Sequence, residues 1–256
     1  MIGAFTGYFD AAQVALYVFW LFFAGLIYYL HREDKREGYP LESERHSGRY
    51  RIEGFPAMPP PKTYLLPDGH TVKSPREERD ERPILARPLN SATGAPLVPT
   101  GNPMIDAVGP ASYAQRWDEP DSMLDGKPLL FPMRLLPDFS VAKEDPDPRG
   151  FLVFGADRKI AGRVFDIWVD RAEPQIRYLE VELSGGGRKV MLPIHFSKFD
   201  IRNSAVKVRS ILSTQFADVP ALRNPDVITM LEEDKVGAYY AGGTLYATPA
   251  RSEPFI

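Results

Sequence analysis

FDIWVDRAEPQIRYLEVELSGGGRKVMLPIHF, Phe165 to Phe196, decides the fold of the C-terminal half of this chain. Within it Ile176, Tyr178 and the Leu179/Val181/Leu183 series alternate with Arg177, Glu180 and Glu182, which is the period of a strand. The glycine-rich SGGG follows, then a second apolar run, RKVMLPIHF. Together they read as a β-hairpin. Upstream, Phe151–Phe154, the turn GADRK and Ile160–Val169 read as strand, turn, strand, and downstream AVKVRSI, Ala205–Ile211, alternates again. Short strands at this spacing predict a small antiparallel barrel or sandwich. The stretch NPDVITMLEEDKVGAYYAGG supplies one amphipathic helix near 225–240. Asn224 is its expected N-cap, Pro225 its first residue, and Gly242 and Gly243 its end. The expected domain is mainly β, over 151–256, with one helix.

The opening stretch carries Asp166, Asp170, Glu173, Glu180 and Glu182. On a strand, Glu180 and Glu182 point away from Leu179, Val181 and Leu183, so they are expected to form a solvated face. Asp166 is expected in a turn or on a sheet face. Asp170 and Glu173 fall in VDRAEPQ, a connection between strands, with Arg171 and Arg177 near enough in sequence to pair with them. Loops carry function more often than strands do, but charged turns are commonplace, so the residues alone leave both readings open. SGGGRK joins two strands and opens no helix, so it reads as a hairpin turn rather than an anion cradle. No GxSxG, Walker A or dinucleotide fingerprint is present.

Composition narrows the chemistry. The 256 residues include no cysteine, which excludes disulfides, thiolate nucleophiles, Fe–S clusters and covalent haem attachment. The four histidines, His31, His46, His70 and His195, form no HxH or HExxH pair, so no metal site is expected. A net charge of −3 with mixed signs offers no basic footprint for nucleic acid.

Ala11 to Leu30, AAQVALYVFWLFFAGLIYYL, is uncharged throughout. At ~1.5 Å per residue its length matches a hydrocarbon core of ~30 Å. Asp10 is the expected N-cap with Gln13 as a capping-box variant. Tyr8, Phe9, Tyr28 and Tyr29 stand where interfacial aromatics belong. A cleaved signal peptide fits less well, because no Lys or Arg precedes the span and large aromatics end it. A retained transmembrane helix over 11–31 is therefore expected. Arg32, Lys35 and Arg36 follow it, so the positive-inside rule puts residues 1–10 on the outer, periplasmic side and the remainder in the cytoplasm. Mixed charges in HREDKREGYPLE read as a solvated or headgroup-level collar. The span has no internal His, Asp, Glu, Lys or Arg, so it reads as an anchor or rim helix rather than a transport path.

Nineteen of the 25 prolines lie between Pro40 and Pro148. Proline removes a backbone donor and biases its predecessor to extended geometry, so 32–150 is expected as an extended surface segment. Its spaced apolar residues, Phe55, Tyr64, Leu65, Leu66, Ile84, Leu85, Leu97, Met104, Tyr113 and Trp117, favour a segment draped over another surface rather than disorder.

Four blocks, FWLFFAGLIYYLHREDKREGYPLE, PTGNPMIDAVGPASY, GRVFDIWVDRAEPQIRYLEVEL and LEEDKVGAYYAGGTLYA, resemble the H subunit of the photosynthetic reaction centre of purple bacteria. The similarity runs in order along nearly the whole chain. It implies one membrane helix, a proline-rich segment and a cytoplasmic PRC-type barrel, in a bacterial inner (intracytoplasmic photosynthetic) membrane. It implies a structural subunit, not an enzyme, that caps the L and M subunits, with light-harvesting proteins and a cytochrome subunit as further partners. Bacteriochlorophyll, bacteriopheophytin, quinones and non-haem iron would sit on partner subunits, and none would be held by this chain alone. It implies help with proton transfer to the secondary quinone. The matching acids are Asp170 and Glu173 with Arg177, in VDRAEPQIR, and Asp125, in the Leu124-Asp125-Gly126 turn. Some relatives carry histidines just after that turn; here Lys127, Pro128 and Leu129 stand instead, which leaves the proton uptake point open. Tyr29 and Arg32 are expected to contact phospholipid headgroups or a partner subunit. The competing reading is a membrane-tethered PRC-barrel adaptor that binds soluble partners.

Overall fold

The computed structural model describes residues 10–43, 50–67, 69–75, 80, 82–92 and 94–252. Tyr8, Phe9, His46, most of the charge run 76–82 and nearly all of the expected outer segment lie outside the described residues. The chain divides into two compact units, Met1–Glu81 and Arg82–Ile256.

In the first unit, helix α1 spans Ala11–Glu33 with none of its residues buried. Asp10 caps it as expected, its carboxylate accepting from the Gln13 amide at 2.8 Å. The Gln13 side chain reaches forward to the Tyr17 hydroxyl (3.0 Å) instead of closing a capping box. Two short antiparallel ribbons follow, β1 (Leu41–Ser43) with β2 (Tyr50–Ile52) and β3 (Lys62–Leu65) with β4 (Thr71–Ser74).

Two cations of the collar after the helix are not solvated, whereas Asp34 and Glu37 are exposed. Lys35 and Arg36 are only 3% and 8% exposed. The Lys35 ammonium donates to the carbonyls of Glu53 and Pro56. Arg36 donates to the Pro60 and Ser74 carbonyls (2.7 and 3.0 Å) and pairs with Glu33. Prolines bring no amide donor, so carbonyls in this proline-rich stretch need donors from elsewhere. The basic residues that sequence logic assigned to headgroups serve as those donors.

The second unit begins at Arg82. A third ribbon, β5 (Ala86–Pro88) with β6 (Leu97–Pro99), leads into a seven-stranded sheet. Its strands are β7 (Leu130–Pro132), β8 (Leu152–Phe154), β9 (Ile160–Asp170), β10 (Gln175–Leu183), β11 (Lys189–Pro193), β12 (Ser197–Asp200) and β13 (Ala205–Val208). The order is β11-β10-β9-β8-β13-β12, with β7 also paired to β9. All pairs are antiparallel except β8 with β13. The result is the expected small barrel, curled and partly open, with β11 and β12 as its free ends.

Three bulges interrupt the sheet: one leaves Ala161 extra in the β8–β9 pairing, and two lie in the β9–β10 pairing. Ile176 pairs with Val169 and Tyr178 with Trp168, so Arg177 is an extra residue; Glu180 pairs with Asp166 and Val181 with Val164, so Phe165 is another. A bulge bends its strand and re-aims the side chains beside it. Val153, Val164, Ile167, Leu179, Val181, Leu192 and Val206 fill the core, each at most 1% exposed.

Helix α2 covers Met230–Tyr246, five residues later than expected. Thr229, not Asn224, is its N-cap. The Glu232 amide donates to the Thr229 hydroxyl (3.1 Å), and the Thr229 amide to the Glu232 carboxylate (2.9 Å). This reciprocal box satisfies two orphan amides and outcompetes the single bond Asn224 could offer. Asn224 instead closes a local turn onto the Asp226 amide. Gly242 and Gly243 lie inside the helix. A Cβ there would stand 2.5 Å from the Ala111 Cβ and 2.4 Å from the Ile211 Cγ2, so close packing rather than termination requires them.

Candidate functional site

The β7–β9 pairing sets Leu130 opposite Asp170, which brings the 123–127 turn beside the 171–174 turn. The Arg171 amide donates to the Leu129 carbonyl at 3.0 Å. Its guanidinium donates to the Pro128 carbonyl (3.1 Å) and to the Asp125 carboxylate (2.8 Å). Asp125 also accepts from the Lys127 amide, an Asx turn that Gly126 completes at φ +72°. Residues more than forty positions apart thus share one end of the barrel.

Asp170 ends β9 and is 6% exposed. One carboxylate oxygen accepts from the amides of Ala172 (2.9 Å) and Glu173 (3.2 Å). The other faces the bulge residue Arg177 at 3.9 Å. Glu173 sits on the exposed turn and accepts from the Gln175 side chain at 3.2 Å. The four expected residues, Asp125, Asp170, Glu173 and Arg177, are therefore neighbours, two of the acids open to solvent and one buried behind them. The Arg171 guanidinium holds the Asp125 carboxyl below the usual range, so Asp125 stays ionised well into acid.

One expectation fails at Glu180. It is 3% exposed, as is its register partner Asp166 at 2%, while Glu182 stays exposed. Past the Phe165 bulge both faces of β9 are buried. Arg134, on the turn after β7, lies across the pair and donates to Asp166 (3.0 Å) and Glu180 (2.6 Å). Its other nitrogen reaches Asp226. The Trp168 indole donates to Glu180 at 3.3 Å, and Lys189 lies 3.8 Å away. The face assigned to water is an ion network. Trp168, two residues from Asp166, was the available signal, because a buried indole needs a partner.

Tyr178, buried on β10, makes a further polar contact. Its hydroxyl donates to Glu233 of α2 at 2.9 Å. Burial pushes the Glu233 carboxyl up, opposed by the Tyr178 bond and by Arg116 and Arg177, and abetted by Asp121. Burial pushes the Tyr178 hydroxyl up as well, so it remains a donor. A carboxyl raised on folding stabilises the fold in its protonated form, a contribution present at low pH and lost as pH rises through the raised value. Glu233→Gln keeps an acceptor for Tyr178 and removes the charge. Its melting temperature at about pH 8 should equal or exceed that of the parent, with the difference shrinking toward about pH 4. A variant less stable at the higher pH would show that the ionised carboxylate is the stabilising form.

Among the described residues, no group of three or more His, Cys, Asp or Glu could hold a metal ion. The family model for the photosynthetic reaction centre H-chain N-terminal region matches residues 3–135, just over half of the chain. The chain belongs to the reaction-centre H-chain family. The PRC-barrel domain model matches residues 141–215 of the same H chain, the stretch from β8 through β13. Family membership implies association with the core subunits L and M and places the complex's cofactors on other subunits. Among the described residues of this H chain one helix, α1, is long and apolar enough to cross a membrane, which fits a single-pass membrane subunit.

Proposed function

We propose that this H chain caps the cytoplasmic face of the L/M core, steadies the quinone region, and passes protons toward the secondary quinone held by its partners. The observation that carries the proton reading is the stitching of the Asp125 turn to the β9–β10 turn. It sets exposed Asp125 and Glu173 around buried Asp170, with Arg171 and Arg177 between them. A relay needs an acid in contact with water and an acid behind it. Glu173 and Asp170 fill those two roles, with Arg177 3.9 Å from the Asp170 carboxylate. Asp125, kept ionised by Arg171, draws protons to the surface electrostatically rather than storing them. The quinol chemistry itself belongs to the partner subunits.

The cations Arg32, Lys35 and Arg36 after α1 orient the barrel to the cytoplasm. Tyr29 and Arg32 stand at headgroup level and contact phospholipid or a partner subunit. Exposed Phe55, Leu65 and Ile84 (83%, 75% and 66%) give L and M apolar footholds.

One membrane preparation tests the whole reading. Gently solubilised, the H chain should carry bacteriochlorophyll bands in fixed stoichiometry; a colourless monomer would favour the adaptor alternative. The chain has no cysteine, and a side chain at Gly186 meets nothing within 4 Å, so Gly186→Cys introduces a lone thiol in the β10–β11 hairpin. It should react with an impermeant maleimide only when the cytoplasmic face is open. Reaction from the outer face would reverse the orientation.

A further inference from the structure

Away from the acids, the strands β8, β13 and β12 carry a groove of about 780 Å³. Leu152, Phe154 and Ala205 supply apolar lining; Arg158, Lys207 and Arg209 supply the charge. The one acid lining the groove, Asp200, is engaged by Lys207 (2.6 Å) and Asn203 (2.9 Å). Among the described residues, no bond ties the guanidinium of Arg158 or Arg209 within the chain. A second cavity of about 420 Å³ shares Lys207 and Arg209 and adds Lys198.

Two features of this face work against the fold's own stability. Lys198 lies directly opposite Lys207 in the β12–β13 register. Like charges at such a position repel. Arg158 sits at the tip of the β8–β9 turn with φ +60°, a left-handed conformation suited to Gly or Asn rather than Arg. Cations concentrated at unfavourable positions around an apolar lining point to an anionic ligand with an apolar part.

We propose that this groove binds the headgroup of an anionic phospholipid, its phosphate taken by Arg158 and Arg209 and the start of an acyl chain laid over Leu152 and Phe154. A free phosphate would leave the apolar lining idle. An acidic peptide would match the charge, but a lipid matches both parts, and a chain with a membrane helix has lipid at hand. The proposal is independent of the proton-transfer reading.

The test uses the full chain in neutral detergent, titrated by calorimetry with dihexanoyl phosphatidylglycerol, dihexanoyl phosphatidylcholine, inorganic phosphate and hexaglutamate. Phosphatidylglycerol should bind at least about tenfold more tightly than each of the others. Arg158→Asn and Arg209→Ala should each weaken it about fivefold, the worth of one basic contact at an anionic surface. Arg202→Ala, exposed nearby but lining neither cavity, should leave it unchanged. Arg158→Asn should melt no lower than the parent, because Asn suits the left-handed turn, so lost binding would not reflect lost folding. Phosphate binding as tight as the lipid, or hexaglutamate binding tighter, would overturn the proposal. So would lipid binding indifferent to both arginines.

Discussion

Glu173→Gln should slow the second, proton-coupled electron transfer to the secondary quinone about tenfold or more and leave primary charge separation untouched. Proton transfer by one positioned side chain is worth about 10²–10⁴-fold, and the lower figure expected here reflects a second exposed acid, Asp125, at the same end of the barrel. Gln preserves the size of the side chain and its bond with Gln175, so geometry alone cannot account for a loss. Flash-induced absorbance changes separate the two steps. Glu182→Gln provides the control for charge, since Glu182 is also an exposed acid on β10 but lies away from the turn. An unchanged second transfer in Glu173→Gln would end the relay role. Equal slowing in both variants would reduce it to a general field effect. Glu173→Asp should recover part of the rate, because a shorter acid still carries a proton.

The strands were legible because alternation is a local property. Ile160–Val169 and the hairpin around SGGG stand where the pattern put them, except that the second hairpin strand ends at Pro193, three residues short of Phe196. Glu173 stands on the turn where the alternation breaks, whereas Asp170, expected in the same connection, is the buried last residue of β9. What alternation cannot show is which faces other elements cover. Glu180 obeys the strand period and is still buried, because the Arg134 turn, some forty-five residues earlier, lies across it. The same non-local covering draws Met104, Leu130 and Met133 from the proline-rich stretch into the barrel's own core. Composition left that stretch's partner unnamed; from Arg82 onward the partner includes the barrel itself. The helix start was misplaced for a local reason. Asn-Pro and Thr-x-x-Glu are both N-terminal signals, and only the second satisfies two amides at once.

Arg134→Met should destabilise the barrel unit more than any other single surface-accessible change. The β9–β10 register places Glu180 opposite Asp166, and acids directly opposite each other repel. Arg134 is the group that donates to both, and one Asp166 oxygen already lacks a partner among the described residues. Methionine fills similar space but leaves two buried acids facing each other. Removing one partner of a buried ion pair costs about 3–5 kcal/mol. For a unit of this size that lowers the melting temperature by about 10 °C. The network as a whole need not be stabilising, because burying charge carries a desolvation cost that an apolar replacement avoids. Hence Arg134→Met combined with Asp166→Asn and Glu180→Gln should recover most of the loss, and Arg134→Lys, with one ammonium for a fork that also reaches Asp226, should fall between. Thermal melts of the four proteins decide the matter. A single variant that melts within about 1 °C of the parent would shift the charge balance to Lys189, 3.8 Å from Glu180, and Lys189→Met would then have to show the larger loss.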